Sequence, residues 1–211
     1  MRTIEKTVYL FSELSDEAKE NAREWYRLAA ADDNYFSECV INDAVSMGAI
    51  IGIEISHKTW NNSYGFSGKS PAVYWSGFSN QGDGACFEGF YSYAKNAVKK
   101  IAYETGNDKT LVDIAKSLQE IQRRNFYGLR ADITKSGRYY HSGTIRAGVS
   151  DRNGNEVNAK IEADLVECFR DFANWIYSNL EKEYEYSMSN EAVDEAITCN
   201  EYEFLDNGEK A

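Results

Sequence analysis

A chain of 211 residues with 43% apolar residues and a single proline can bury a real core and has few breakers for linkers. No stretch approaches the roughly 20 apolar residues of a membrane helix, and the start, MRTIEKTVYLF, is too charged for a signal peptide. The net charge of −11 argues against tight phosphate binding by the chain as a whole. That charge is uneven. Residues 1–94 carry 7 basic and 13 acidic groups, 95–138 carry 10 and 5, and 139–211 carry 6 and 16.

Thr3 to Phe11 alternates apolar and polar side chains and predicts a first strand. Ser15 is a good N-cap with Asp16 and Glu17 in the first turn. Ala18, Ala22, Trp25, Tyr26 and Ala29 then give the buried face of a helix. Asp32-Asp33-Asn34 breaks it. Tyr35, Phe36, Cys39, Val40, Ile41 and Ala44 predict a second helix ending at Gly48, with Cys39 as core packing. Ala49 to Ser56 reads as a buried strand, and Lys58 to Ser70 as a long polar loop closed by Pro71.

Val73 to Tyr91 concentrates aromatics and glycines and reads as the central β-hairpin. Its tip, Asn80-Gln81-Gly82-Asp83-Gly84, reads as a tight turn, since glycine adopts positive φ cheaply and Asp tolerates it. Tyr93, Ala97, Val98, Ile101 and Ala102 then suggest a short helix to Gly106. Asp108 caps the next, whose stripe is Leu111, Ile114, Ala115, Leu118 and Ile121, with Arg123 and Arg124 at its end. Phe126–Thr134 and Tyr139–Ser150 predict two strands, followed by an Asn153-Gly154 turn. The longest helix, about 159–184, carries an unbroken apolar face from Ile161 to Leu180. Ser189 caps a last helix, Tyr202–Leu205 reads as an edge strand, and Asp206–Ala211 as a frayed tail. The whole predicts one α+β domain over 1–211. An antiparallel sheet with a central β-hairpin is covered by helices, the C-terminal one long and amphipathic, and the part from about 159 to 211 is acidic.

Candidate chemistry gathers at the hairpin: Trp75, Gln81, Gly82, Asp83, Gly84 and Cys86. Exposed backbone N–H groups beside a carboxylate can hold an ion or a ligand, and Cys86 as a nucleophile needs His57 or His141 as its base. The plainer reading makes Gly-Asp-Gly turn chemistry and Cys86 core. Cys39, Cys86, Cys168 and Cys199 lack CxxC spacing, so no metal site is expected; they read as free thiols in a reducing cytoplasm. Asp151, Asn153, Asn155 and Glu162 only partly match a calcium loop, because the glycine stands at the fourth position instead of the sixth. The basic stretch Lys95–Arg138, beside Phe126, Tyr127, Tyr139 and Tyr140, is a candidate for single-stranded nucleic acid. No Walker, GxGxxG, HExxH or GxSxG pattern occurs, and no cofactor or catalytic residue is assigned.

Three segments, ELSDEAKENAREWYR (13–27), YWSGFSNQGDGACFEGFYSY (74–93) and EYEYSMSNEAVDEAITCNEYEFLDNGE (183–209), resemble a family of small proteins of tailed bacteriophages and prophages. Some members are labelled antitoxins of toxin–antitoxin stability systems, and the WSGFxxQGDGACFEG core carries most of the likeness. The resemblance implies a phage accessory protein in the bacterial cytoplasm and brings no catalytic residues. Between Glu181 and Lys210 stand ten acidic and two basic groups. The leading expectation is therefore a non-enzymatic factor that engages a basic host protein through Glu181, Glu183, Glu185, Glu191, Asp194 and Glu195, with no membrane and no nucleic acid as partner. In its sharper form these carboxylates mimic DNA. The alternatives are an enzyme or small-ligand or metal binder at the hairpin tip, and a nucleic-acid binder at Lys95–Arg138.

Overall fold

The computed structural model describes residues 6–30, 34–62 and 65–211. The strands among them are β1 (Tyr9–Leu10), β2 (Ile53–Ile55), β3 (His57–Asn61), β4 (Ser67–Pro71), β5 (Val73–Trp75), β6 (Ala85–Phe87), β7 (Gly89–Ser92), β8 (Arg130–Lys135), β9 (Ile145–Ser150) and β10 (Glu203–Phe204). The helices are α1 (Asp16–Ala29), α2 (Tyr35–Ile51), α3 (Ala97–Glu104), α4 (Lys109–Arg124), α5 (Ala159–Ser187) and α6 (Asn190–Cys199). Every strand pairing is antiparallel, and the fold is α+β, as the pattern predicts. The chain divides into two compact units, Glu38–Glu181 and the paired ends Met1–Ser37 with Lys182–Ala211.

In the unit Glu38–Glu181 the main sheet has the order β2-β7-β8-β9. Burial alternates along each strand, so one face points inward with Ile53, Ile55, Tyr91, Ala131, Ile133, Ala147 and Val149. The stripe of α5 covers that face. Phe169 meets Tyr91 edge-on at 5.4 Å and Phe172 meets Phe87 at 5.5 Å. Each fully buried side chain of this size contributes about 1.5–3 kcal/mol before entropy is subtracted. Asp108 ties two helices: one carboxylate oxygen accepts from the Leu111 N–H at the start of α4, and the other from Trp175 Nε1 of α5. Gln122, buried at the end of α4, donates to the Leu129 carbonyl and accepts the Leu129 N–H, which fixes the entry to β8.

Several expectations for this unit change. The predicted strand from Ala49 is helix up to Ile51, and Gly52, at φ +92°, takes the left-handed position after it; Gly48 lies inside α2. Cys39 and Tyr35 are exposed, while Val40, Ala44 and Ile51 face inward. Apolar residues lie all round α2, so their spacing did not select a face. The polar stretch Lys58–Ser70 is mostly the β3–β4 hairpin; both its strands are largely exposed, so it lacks the alternation that marks a half-buried strand. Ser63 and Tyr64 lie outside the described residues. Phe126 and Tyr127 both have positive φ and belong to the turn after α4, so the strand starts only at Arg130. Between Tyr139 and Thr144 a short 3₁₀ turn replaces the predicted strand, and β9 begins at Ile145.

The other unit has its own core of Phe11, Leu14, Ala18, Ala22, Val193, Ile197 and Phe204. Trp25 packs edge-on against Tyr202 at 5.3 Å and Phe204 at 5.6 Å. Ser15 and Ser189 cap α1 and α6 as predicted. Of the predicted first strand only Tyr9–Leu10 pairs, with β10; Glu13 captures the Leu10 N–H and turns the chain into 3₁₀ geometry, and Thr3–Glu5 lie outside the described residues. Asp32 and Asp33 are likewise outside them. The tail is not frayed. The Asn207 carbonyl accepts from Asn21 Nδ2, the Ala211 N–H reaches the Glu203 carbonyl, and Gly208 is buried.

A Cβ on Gly208 would stand 2.0 Å from the Ala18 carbonyl oxygen, on a backbone at φ +84°. Gly208→Ala is therefore expected to cost at least about 1–3 kcal/mol of stability, whereas a loose tail would tolerate it; urea unfolding of the full chain measures this.

Candidate functional site

β5 and β6 pair Val73 with Phe87, Tyr74 with Cys86 and Trp75 with Ala85. Residues 76–84 join them, a longer loop than the predicted tight turn, and the hairpin ends at Phe87 because β7 crosses into the main sheet. The loop is pinned at both ends. Phe78 stacks on Trp75 at 5.5 Å and contacts Tyr177 at 5.5 Å, and the Tyr177 hydroxyl donates to the Gly77 carbonyl at 2.9 Å. The Asp83 carboxylate accepts from the Asn80 N–H at 2.7 Å and the Ser79 N–H at 3.1 Å. These donors, Asn80 foremost, hold its carboxyl below the usual carboxylate range. Asp83 thus clasps its own loop, and Gln81 and Gly82 form the exposed tip.

Cys86 is fully buried. Burial pushes its thiol up, against weaker opposing pulls from Thr144 and Lys135. His141 lies next to Gly84, but its Nδ1 accepts the Gly143 N–H, and His57 stands exposed on β3. A thiolate needs an electropositive, accessible setting, so Cys86 here is core, the plainer of the two readings. Around the same stem the fold assembles a group that sequence reasoning missed. Tyr74 stacks on Tyr140 at 5.5 Å and donates to Glu88 at 2.9 Å. Lys58 Nζ stands 4.2 Å from the centre of its ring and Lys135 Nζ 5.0 Å. Burial and the Glu88 carboxylate push the Tyr74 phenol up to about 12. The only hint in the sequence was the lysine inside a stretch read as loop.

Asp151 accepts from the N–H groups of Asn153 and Asn155 and from Asn155 Nδ2, the bonding of a closed turn. Among the described residues no group of three or more His, Cys, Asp and Glu side chains is placed to hold a metal ion. In the basic stretch, Lys109 and Lys116 share Asp113, and Arg123 and Arg124 share Glu120. Phe126, Tyr127 and Tyr139 are exposed beside it. No helix among the described residues is long and apolar enough to cross a membrane.

The six acidic candidates lie on α5 and α6. Glu181 belongs to the unit Glu38–Glu181 and the other five to the unit of the chain ends. Asp194 is bound by Arg23, Nε to Oδ1 at 2.6 Å and Nη2 to Oδ2 at 2.7 Å. Glu183 and Glu185 lie roughly 160° apart around α5, while Glu191 and Glu195 share a side of α6. Among the described residues Asp194 alone, of the ten carboxylates from Glu181 to Glu209, forms an ion pair.

The chain matches the family described as Domain of unknown function (DUF8835) over residues 36–190, and it belongs to that family. The matched span takes in the whole unit Glu38–Glu181, with the β5–β6 hairpin and its loop. No curated protein and no solved structure matches the chain.

Two measurements check this site. Because the Asp83 carboxyl is held below its ordinary 3.8, its stabilisation is complete above that value and is lost as pH falls through the lower folded-state value. Exchange protection of the Ser79 and Asn80 amides, followed by NMR, is expected to hold above pH 3.8 and to decline only below it. A thiol reagent is expected to modify exposed Cys39 and Cys199 in the folded chain, and buried Cys86 and Cys168 only on unfolding.

Proposed function

We propose that the chain is a non-enzymatic binding protein that engages a basic protein surface through carboxylates of the unit formed by its two ends. The observation that carries this reading is the set Glu183, Glu185, Glu191 and Glu195, exposed and outside any ion pair among the described residues. Unpaired carboxylates on rigid helices attract cations without first breaking internal contacts, and they raise association rates with basic partners. A buried thiol and an occupied Asp83 also leave the hairpin without an activated nucleophile. The likeness to phage proteins supports the finer form of the proposal. In it, the chain is a phage-encoded accessory factor that restrains a host defence component, or neutralises a toxin, in the bacterial cytoplasm.

The test is affinity capture from bacterial cells with the full chain and with a variant carrying Glu→Gln at 183, 185, 191 and 195. The native chain is expected to retain a basic protein that is released as salt rises past about 0.3 M, where screening shortens to a few ångströms. The variant is expected to lose that protein while keeping its unfolding temperature. Retention unchanged by the four substitutions would exclude the acidic surface as the binding face.

A further inference from the structure

A cavity of about 480 Å³ opens beside the β5 strand. Its walls include Lys58 and Trp60 of β3, Tyr74, Tyr140, and Glu38 and Asn42 of α2, all within the unit Glu38–Glu181. The volume falls in the range of small-molecule sites, which run from about 300 to 1,000 Å³.

Basic side chains gather at it: Lys58 and Lys69 in its wall, and Lys135 over the rings of Tyr74 and Tyr140. Among the described residues neither Lys58 and Lys69, which line the cavity, nor Lys135 beside it forms an ion pair. Lys58 is half-buried, and its ammonium is held by the Val73 carbonyl at 2.7 Å and by the face of Tyr74. One carbonyl uses one of three donors, which leaves N–H groups for an incoming anion. Burial also lowers the proton affinity of Lys58, a penalty that a bound anion relieves. Of the nearby carboxylates, Glu88 is engaged by the Tyr74 hydroxyl and Glu38 belongs to the α2 side of the wall.

The second feature is aromatic. Trp60 faces Gly68 across the β3–β4 ladder, and a Cβ at Gly68 would stand 2.6 Å from Trp60 Cζ2. The glycine lets the indole lie close on the neighbouring strand, where it stays 46% exposed at the cavity. A large exposed indole beside a desolvated cation offers stacking and charge together, the pair of contacts that selects a flat anion.

We infer that this cavity binds a small anionic ligand carrying a flat aromatic ring, with the ring on Trp60 and the anionic group toward Lys58. The shared chemistry is that of a mononucleotide or an aromatic carboxylate. The site lies within the unit Glu38–Glu181, and the inference does not depend on the acidic surface.

Isothermal titration calorimetry of the full chain tests this with four probes: adenosine 5′-monophosphate, 4-hydroxybenzoate, adenosine and inorganic phosphate. Saturable binding of at least one ring-bearing anion is expected, with adenosine and phosphate at least about ten-fold weaker, the scale of one charge-assisted contact. Which of the two anions binds more tightly tells nucleotide from carboxylate. Lys58→Met and Trp60→Ala are each expected to weaken binding by about ten-fold, and the remote Lys160→Met to leave it unchanged. Urea midpoints of the variants separate lost binding from lost folding. No saturable heat with either anion up to about 1 mM would overturn the inference. So would equal affinity for adenosine and the monophosphate, or unchanged affinity in both folded variants.

Discussion

The larger unit rests on one contact, the apolar stripe of α5 against the inward face of the four-stranded sheet. Phe169 on Tyr91 and Phe172 on Phe87 fix the helix over two different pieces of sheet, since Phe87 belongs to β6 and Tyr91 to β7. The chain leaves one ladder and enters the next between those residues, so α5 holds both in register. Farther along the same helix Trp175 binds Asp108 and Tyr177 binds the 76–84 loop. A single helix thereby supports the core, the start of α4 and the loop of the aromatic hairpin. Close packing makes such a support stiff, because shifting it opens voids on every side.

Electrostatics follow a second rule, that charge in a segment is not charge in a field. In the basic stretch 95–138, four of the ten cations share two carboxylates along α4. Such exposed pairs add little stability, but they spend the cations that a polyanion would need. In the unit of the chain ends, Arg23 consumes Asp194 and also lies over Phe11, linking α1 to α6 and the aromatic core. Glu183, Glu185, Glu191 and Glu195 have no such partner among the described residues. Lys58 and Lys135 over the Tyr74 ring are the converse case, cations held by a ring face and outside any ion pair among the described residues. Charge at a site therefore follows from its immediate neighbours and not from the composition of the chain.

Much of the fold was legible because its causes are local. Ser15, Asp108 and Ser189 cap their helices, since a side-chain oxygen reaches an amide three residues on whatever surrounds it. The stripe of α5 and the alternation in β8 and β9 hold because each buries one face against a core. Where an element buries two faces or none, the pattern failed. Apolar residues ring α2 and hid that Cys39 is exposed, and β3–β4 carry polar residues on both sides and read as loop. The tail was read as frayed because its anchors, Ala18 and Asn21, lie at the other end of the sequence.

The sequence by itself determined the α+β class, the order of most elements, the caps and the inward face of the long helix, since these follow from residues a few positions apart. Only the tertiary structure decided what the polar groups do. Asp83 and Asp194 look alike in the chain, yet one closes its own loop and the other binds an arginine 171 residues away. Lys58, Tyr74 and Tyr140 come together only once β3, β5 and the turn before β9 are in place. A charge or a ring acquires its role from whatever the fold sets within a few ångströms of it, and that neighbourhood is not written in spacing along the chain.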